Sequence, residues 1–306
     1  MMRSRLYIAA FSLALVLACA EDEPPEVSYW YVQRGPTIGG VSLRAVDAAG
    51  PNDVWAVGNQ GKILHYDGVR WSFYQLEVTD LDLNGLEVTS GSAGWAVGAD
   101  GRVLCYHNGQ WYNSLHLTGY DLYGVAFDDG RGFAVGDHGS LFRYDGEKWE
   151  DVSLAGVTAD LRDVAFSADG KAWAVGDVGT VLYYDGSGWA KVDGVPTDER
   201  LNDVIVREDG VYAAGDNGVI IRDAGGGWRV MSTATTASLN GLAAVAETTF
   251  ACGNDGALLG EKDGVWGPVD LDVGPANLND MVLVNDAEGW AVGDECVILK
   301  YRRAWK

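Results

Sequence analysis

Basic residues are scarce in this 306-residue chain: 22 Lys and Arg stand against 44 Asp and Glu, a formal net charge of −22 with a calculated pI near 4.3. A chain this acidic repels a polyanion and gains nothing from counterion release, which excludes nucleic acid as a partner. Only four cysteines and seven prolines occur, too few for a disulfide framework. The four histidines, His65, His107, His116 and His138, have no metal-ligand spacing and read as solvated surface residues, and neither His-Glu-x-x-His nor Gly-x-Ser-x-Gly is present. No catalytic residue, metal or cofactor is therefore read from the sequence. Long apolar runs are missing too. The most extended, Leu6 to Ala18, is too short to span a bilayer.

That run follows Arg3 and Arg5, as in a secretory signal peptide covering residues 1–18. It ends Val16-Leu17-Ala18-Cys19, which resembles a bacterial lipobox and implies a lipidated Cys19. Cleavage after Ala18-Cys19-Ala20, giving a soluble secreted protein, is the alternative. Residues 19–28 then form the lipidated cysteine and an acidic, proline-bearing tether, too poor in apolar residues to pack. The expected location is the cell envelope, as an outer-membrane lipoprotein facing periplasm or cell surface, with membrane contact through the lipid alone. Two of the basic residues and none of the acids lie in the signal, so the mature charge is −24.

Glycine, at 42 residues, and tryptophan, at 12, are abundant, and both follow a repeat. Trp55-Ala56-Val57-Gly58 returns at Trp95, Phe133, Trp173, Tyr212, Phe250 and Trp290. A leucine phrase precedes each copy, as in Leu83-Asn84-Gly85-Leu86 and Leu161-Arg162-Asp163-Val164, with leucines at 43, 83, 122, 161, 201, 239 and 278. Seven copies of roughly 39 residues leave no room for a second domain, so residues 29–306 read as one unit. Each copy holds four short strands: the leucine phrase, the Trp-Ala-Val-Gly phrase, a third strand after a tight turn, and a fourth after an Asp-Gly or Asn-Gly hairpin such as Asp67-Gly68 or Asp145-Gly146. The expected fold is all-β, a seven-bladed β-propeller of four-stranded antiparallel blades. Trp55 and Val57 should point one way and Ala56 and Gly58 the other, so that a large face nests on a small one in the next blade. Trp71, Trp111, Trp149, Trp189, Trp228, Trp266 and Trp305 recur after the hairpin, and the tryptophans read as framework. Tyr29–Gln33 precedes the first copy at the spacing of a fourth strand, and the N-terminal strand is expected to close the last blade.

The phrase Trp-Ala-Val-Gly-x-x-Gly-x-Ile/Val-Leu-x-Tyr-Asp-Gly-x-x-Trp resembles the propellers related to the photosystem II assembly and stability factor, and BNR/Asp-box repeat proteins, over residues 43–306. The resemblance implies a noncatalytic binding scaffold. Its Asp-box side includes sialidases, and a carbohydrate-active hydrolase of that kind is the alternative function. Here Asp67 stands one residue nearer to Trp71 than in that box, with no Ser or Thr opening it, and no arginine cluster is evident for a sialic carboxylate.

The turns between second and third strands offer an acid or Asn in every copy: Asn59, Asp100, Asp137, Asp177, Asp216, Asn254 and Asp294. In a propeller these turns share one face, so they are the candidate binding ring, although such turns favour Asp and Asn for backbone reasons alone. The inter-blade loops opening on that face vary most between copies, which is where recognition sits on a rigid frame. The expected partner is an envelope protein or exported ligand, of basic character, bound by a monomer. Asp80 to Gly85 matches the first half of a calcium loop, but Gly91 stands where the closing Glu is needed. Cys105, Cys252 and Cys296 read as small thiols; a bridge between Cys252 and Cys296 stays open.

Overall fold

The computed structural model describes residues 26–305, apart from 34, 37–38, 75–77, 92, 270, 272–273 and 275. The signal, Cys19 and the tether up to residue 25 lie outside the described residues. Seven four-stranded antiparallel sheets account for the rest. Their innermost strands are Leu43–Gly50, Leu83–Ser90, Leu122–Asp128, Leu161–Phe166, Leu201–Arg207, Leu239–Val245 and Leu278–Asn285. Each packs beside the innermost strand of the next blade, and Leu278–Asn285 returns against Leu43–Gly50, so the wheel is closed.

The Trp-Ala-Val-Gly strands alternate as their sequence requires. Trp55 and Val57 are buried with Leu83, Leu86, Ala96 and Leu104 of blade 2, whereas Ala56 is buried with Trp290 and Val292 of blade 7. The closing glycine answers to a close approach. A Cβ on Gly58, Gly98, Gly176 or Gly293 would fall on the carbonyl oxygen of Ser42, Asp82, Asp160 or Asn277, the residue before the motif leucine, well inside van der Waals contact. Any side chain there would push the second strand off the first.

Blade 7 draws its outermost strand from the N-terminus. Glu26–Val32 pairs antiparallel with Ile298–Trp305, starting within the segment read as tether. The closure is as expected, but its tryptophan is different. Trp30 lies opposite Tyr301 as Trp71 lies opposite Tyr66 and Trp111 opposite Tyr106, so Trp30 fills the seventh post-hairpin position. Trp305 instead extends the third strand and pairs with Glu26. The physical reason is that an edge strand supplied from the other chain end leaves the third strand free to run on without a hairpin.

These tryptophans lock blades together. Trp71 meets Trp290 at 5.2 Å and 88°, Trp30 meets Phe250 at 5.4 Å and 85°, and Trp149 meets Trp95 at 5.9 Å and 84°. Perpendicular packing of this kind sets a ring edge against a ring face, a favourable quadrupole arrangement. At the blade 7–blade 1 seam the ammonium of Lys300, 2% exposed, is paired with Glu288 and stands 4.4 Å from the Trp290 ring and 4.9 Å from that of Tyr66.

Candidate functional site: the channel mouth and its loop face

Every innermost strand carries the same irregularity. Its register against the second strand skips the residue after the motif leucine, a bulge that re-aims that side chain. The bulged residues are Arg44, Asn84, Tyr123, Arg162, Asn202, Asn240 and Asn279, and they line a cavity of about 600 Å³ at the mouth of the central channel. Four of them stitch the ring: Asn84, Asn202, Asn240 and Asn279 donate to the carbonyls of Leu122, Leu239, Leu278 and Leu43, each in the following blade, at 2.8–2.9 Å. Arg44, Tyr123 and Arg162 break that pattern. The Arg162 guanidinium stacks 4.4 Å over the Tyr123 ring, so blades 3 and 4 give the mouth a side that is both aromatic and cationic.

The turn residues stand around this cavity as scaffold for it. Asp177 takes Arg162 through both oxygens at 2.9 and 3.0 Å, Asp137 accepts the Tyr123 hydroxyl at 2.7 Å, and Asp216 accepts Arg200 and Asn202 at 3.1 and 3.3 Å. Asn254 accepts from Asn240 at 2.9 Å, Asn59 from the Ser42 amide at 3.0 Å, and Asp294 from Asn277 and Asn279 at 2.9 and 3.0 Å as well as from Ser42. Asp100 does not belong with them. Ala99 occupies its blade's equivalent place, and Asp100 is the next residue, left-handed at φ 55°, reaching His116 at 3.6 Å. Counting from Gly98 instead of from the nearest acid separates the two positions.

The second turn residue is left-handed in every blade, including Val178 at φ 56°. A β-branched residue there is strained, and Val178, next to Asp177 in the chain, is also 68% exposed. Tyr120 lies half-exposed in the loop before Tyr123 and stands 4.7 Å from the His138 ring. Blades 3 and 4 thus tie this group to the Tyr123–Arg162 stack: Val178 follows Asp177, which pairs with Arg162, and the His138 amide donates to Asp160, which pairs with Arg162 too.

Below the mouth the channel is acidic, which sequence reasoning missed. The third residue of the leucine phrase is Asp163, Asp203 or Asp280 in three blades. Asp280 accepts the Val46 amide at 2.7 Å, Asp163 accepts that of Val204 at 3.1 Å, and Asp203 accepts that of Leu242, so each acid satisfies a free N–H of the next blade's innermost strand. Asp47 does the same for Val88 at 2.6 Å. Burial pushes Asp163 and Asp280 well above the usual carboxylate range, the charge of Asp203 adding to it, and pushes Asp47 up to about 6. By exposed area these acids are only half-buried, because the surface they keep faces the channel and not bulk solvent.

Other sequence candidates resolve simply. Asp82 accepts Arg44 at 2.7 Å and the Gln60 amide at 2.9 Å, which absorbs the half-match to a calcium loop. His65 is a correction: it stacks 4.1 Å from Trp55 and bonds Asp53 at 2.8 Å, because the third-strand position it occupies faces the neighbouring blade and not solvent. Cys105, Cys252 and Cys296 are free thiols. Among the described residues no helix is long and apolar enough to cross a membrane.

Comparison with solved structures places this wheel among seven-bladed propellers. The chain is similar to YCF48 bound to a D1 peptide, with 20% identity, 91% of this chain and 99% of that one covered, and a TM-score of 0.73. It is similar to YCF48 from Cyanidioschyzon merolae at 17% identity over 89% of this chain and 98% of that one, TM-score 0.72, and to a streptogramin B lyase at 13% over 91% and 98%, TM-score 0.78. At such identities the likeness is one of fold. No protein-family model and no curated protein matches the chain.

Proposed function

We propose that this chain is a noncatalytic propeller scaffold that binds a polypeptide across the loop face of blades 3 and 4. The observation that carries this is the cluster of Tyr123, Arg162, Tyr120, His138 and strained Val178 on the side of the mouth formed by blades 3 and 4. Tyrosine and arginine are the residues that dominate binding energy when desolvated at the centre of an interface. A left-handed, β-branched residue held out in solvent is strained backbone at the exposed face. The peptide named in the YCF48 structure supports a polypeptide as the class of ligand. Lipidation of Cys19 and an outer-membrane location complete the reading, with the basic partner drawn in by the mature charge.

The test is capture from detergent-solubilised envelopes on immobilised protein. A polypeptide retained by the wild type and lost with Tyr120→Asp/Val178→Asp, but kept with Val69→Asp on the opposite hairpins, supports the reading. Equal retention by both variants overturns it. A second reading, carbohydrate hydrolysis, has one observation in its favour, the raised Asp163 carboxyl facing Asp203. Reproducible turnover in a glycan screen that is lost with Asp163→Asn would establish it.

A further inference from the structure

The hairpins opposite the loop face carry chemistry that binding at the mouth does not use. Four Asn-Gly pairs occur in the chain: Asn84-Gly85, Asn108-Gly109, Asn217-Gly218 and Asn240-Gly241. A glycine after asparagine has no side chain to shield its amide nitrogen, so that nitrogen can attack the Asn carboxamide carbon. In three of the pairs the fold holds the reacting groups apart. Asn84 donates to the Leu122 carbonyl at 2.8 Å while its oxygen accepts from Arg44, and Asn240 donates to Asn254 and to the Leu278 carbonyl, both at 2.9 Å. Their glycines lie against the next blade: a Cβ on Gly85 would stand 2.4 Å from the Tyr123 carbonyl oxygen, and one on Gly241 would stand 2.9 Å from the Asp280 Cα. Gly218 is buried under the following loop. A Cβ there would stand 2.1 Å from the Thr235 carbonyl oxygen, and the Gly218 carbonyl accepts the Thr233 hydroxyl at 2.8 Å.

Asn108-Gly109 differs on each count. The pair forms the two-residue turn between Arg102–His107 and Gln110–His116, left-handed at φ 51° and 79°, and residues 107–110 are all exposed. Among the described residues nothing beyond its chain neighbours lies within 4 Å of the place a Gly109 Cβ would take, and no backbone carbonyl accepts the Gly109 N–H. The Asn108 carboxamide nitrogen, the atom that would leave, stands 3.3 Å from His107 Nδ1. The His107 ring is fixed there by stacking on Tyr112 at 4.2 Å and 11°.

We infer that Asn108 is a site of spontaneous self-modification. The Gly109 nitrogen bonds to Asn108 Cγ, giving up its proton to solvent and closing a succinimide ring. The Cγ–Nδ2 bond breaks, and the nitrogen leaves as ammonia with a proton from His107, which solvent restores. Water then opens the ring at either carbonyl to leave aspartate or isoaspartate. The sum is amide and water to carboxylic acid and ammonia, with nothing oxidised or reduced. In the isoaspartyl product the main chain runs through Cβ, which lengthens the turn by one carbon. The carbonyl so displaced, that of Gly109, accepts the hydroxyl of Tyr74 from blade 1, and Tyr74 packs edge-on against Trp55 at 4.5 Å. The modification therefore adds a negative charge and loosens the seam between blades 1 and 2. The inference is independent of the polypeptide reading and stands or falls on its own.

The test is incubation of the purified folded chain at neutral pH, with the amide-to-acid mass gain followed site by site by peptide mass spectrometry. Asn108 should convert at least about ten-fold faster than Asn84, Asn217 or Asn240, because an exposed turn opens at almost no cost and the ring of blades does not. Unfolded in guanidinium, the four sites should convert at comparable rates, which shows that the fold makes the selection. His107→Phe keeps a ring on Tyr112 and removes the proton donor. It should slow Asn108 about ten-fold, less than a positioned acid gives in an enclosed site because water competes here, and leave the other three sites unchanged. Residue 107 is exposed, and an unaltered melting transition verifies that the variant is folded. No conversion at Asn108 in the folded chain, or conversion of any of the other three at an equal rate, would overturn the inference. An unchanged rate in His107→Phe would overturn the part given to His107.

Discussion

Closure of the wheel rests on Trp30, and its replacement by alanine measures how much that strand contributes. Trp30 is 5% exposed and packs between Phe250 of blade 6, at 5.4 Å, and Tyr301 of its own blade, at 5.3 Å. A buried tryptophan removes about 150–250 Å² from water, which at ~25 cal/mol/Å² is about 4–6 kcal/mol before any relaxation of the cavity. Measured truncations of this kind cost about 3–5 kcal/mol. For a chain of this size each kcal/mol lowers the melting temperature by roughly 2 °C, so Trp30→Ala is expected to melt about 6–10 °C lower. Trp71→Ala, at the equivalent place in blade 1, should lose a similar amount. Val32→Ala, in the same strand but exposed, should change melting by less than about 1 °C, as surface substitutions do. Differential scanning calorimetry on the three variants decides the matter. Native melting of Trp30→Ala beside a destabilised Trp71→Ala would refute the register of the closing strand.

Three other outcomes follow from the same structure. Glu288→Ala strands the Lys300 ammonium between Trp290 and Tyr66 and should cost about 3–5 kcal/mol in urea unfolding, whereas Glu288→Gln with Lys300→Met should cost far less, because no unpaired charge stays buried; equal losses would show that the pair is not enclosed. Asp47, raised to about 6 in the folded chain by burial against about 3.9 unfolded, holds a proton that the unfolded chain has released. Its contribution is full below pH 4 and fades as pH rises through 6. Asp47→Asn, which keeps the acceptor for Val88, should flatten that decline in urea midpoints measured from pH 4 to 7, and an unchanged slope would contradict the shift. Cys19→Ser should abolish fatty-acid labelling of the expressed chain, and labelling that persists would end the lipoprotein reading.

Seven copies of two short phrases made the architecture legible, because the phrases carry both the strand period and the turn chemistry. The nesting of Trp55 on blade 2 and Ala56 on blade 7 could be read from alternation alone. Trp30 could not be told from Trp305 by spacing, since both lie near a seventh blade assembled from two chain ends, and only the pairing register opposite Tyr301 separates them. The site was less legible for a local reason. Alternation along the leucine phrase says nothing of a bulge, so the inward aim of Arg44, Tyr123 and Arg162 was hidden in the variable position. The acids at 163, 203 and 280 stand where other copies carry glycine, and the phrase alone does not tell that they accept from the next blade's innermost strand. Asp100 lies outside the ring because the ring position directly follows the strand-closing glycine, and after Gly98 that residue is Ala99.

The most direct test of the central claim is site-specific photocrosslinking from the two faces of the wheel. A photoreactive residue in place of Val178, at the exposed turn of blade 4, should capture a discrete polypeptide in intact cells, and the same residue in place of Val69, on the opposite hairpin of blade 1, should not. Capture from position 69 alone, or the same pattern from both, would contradict recognition through the loop face.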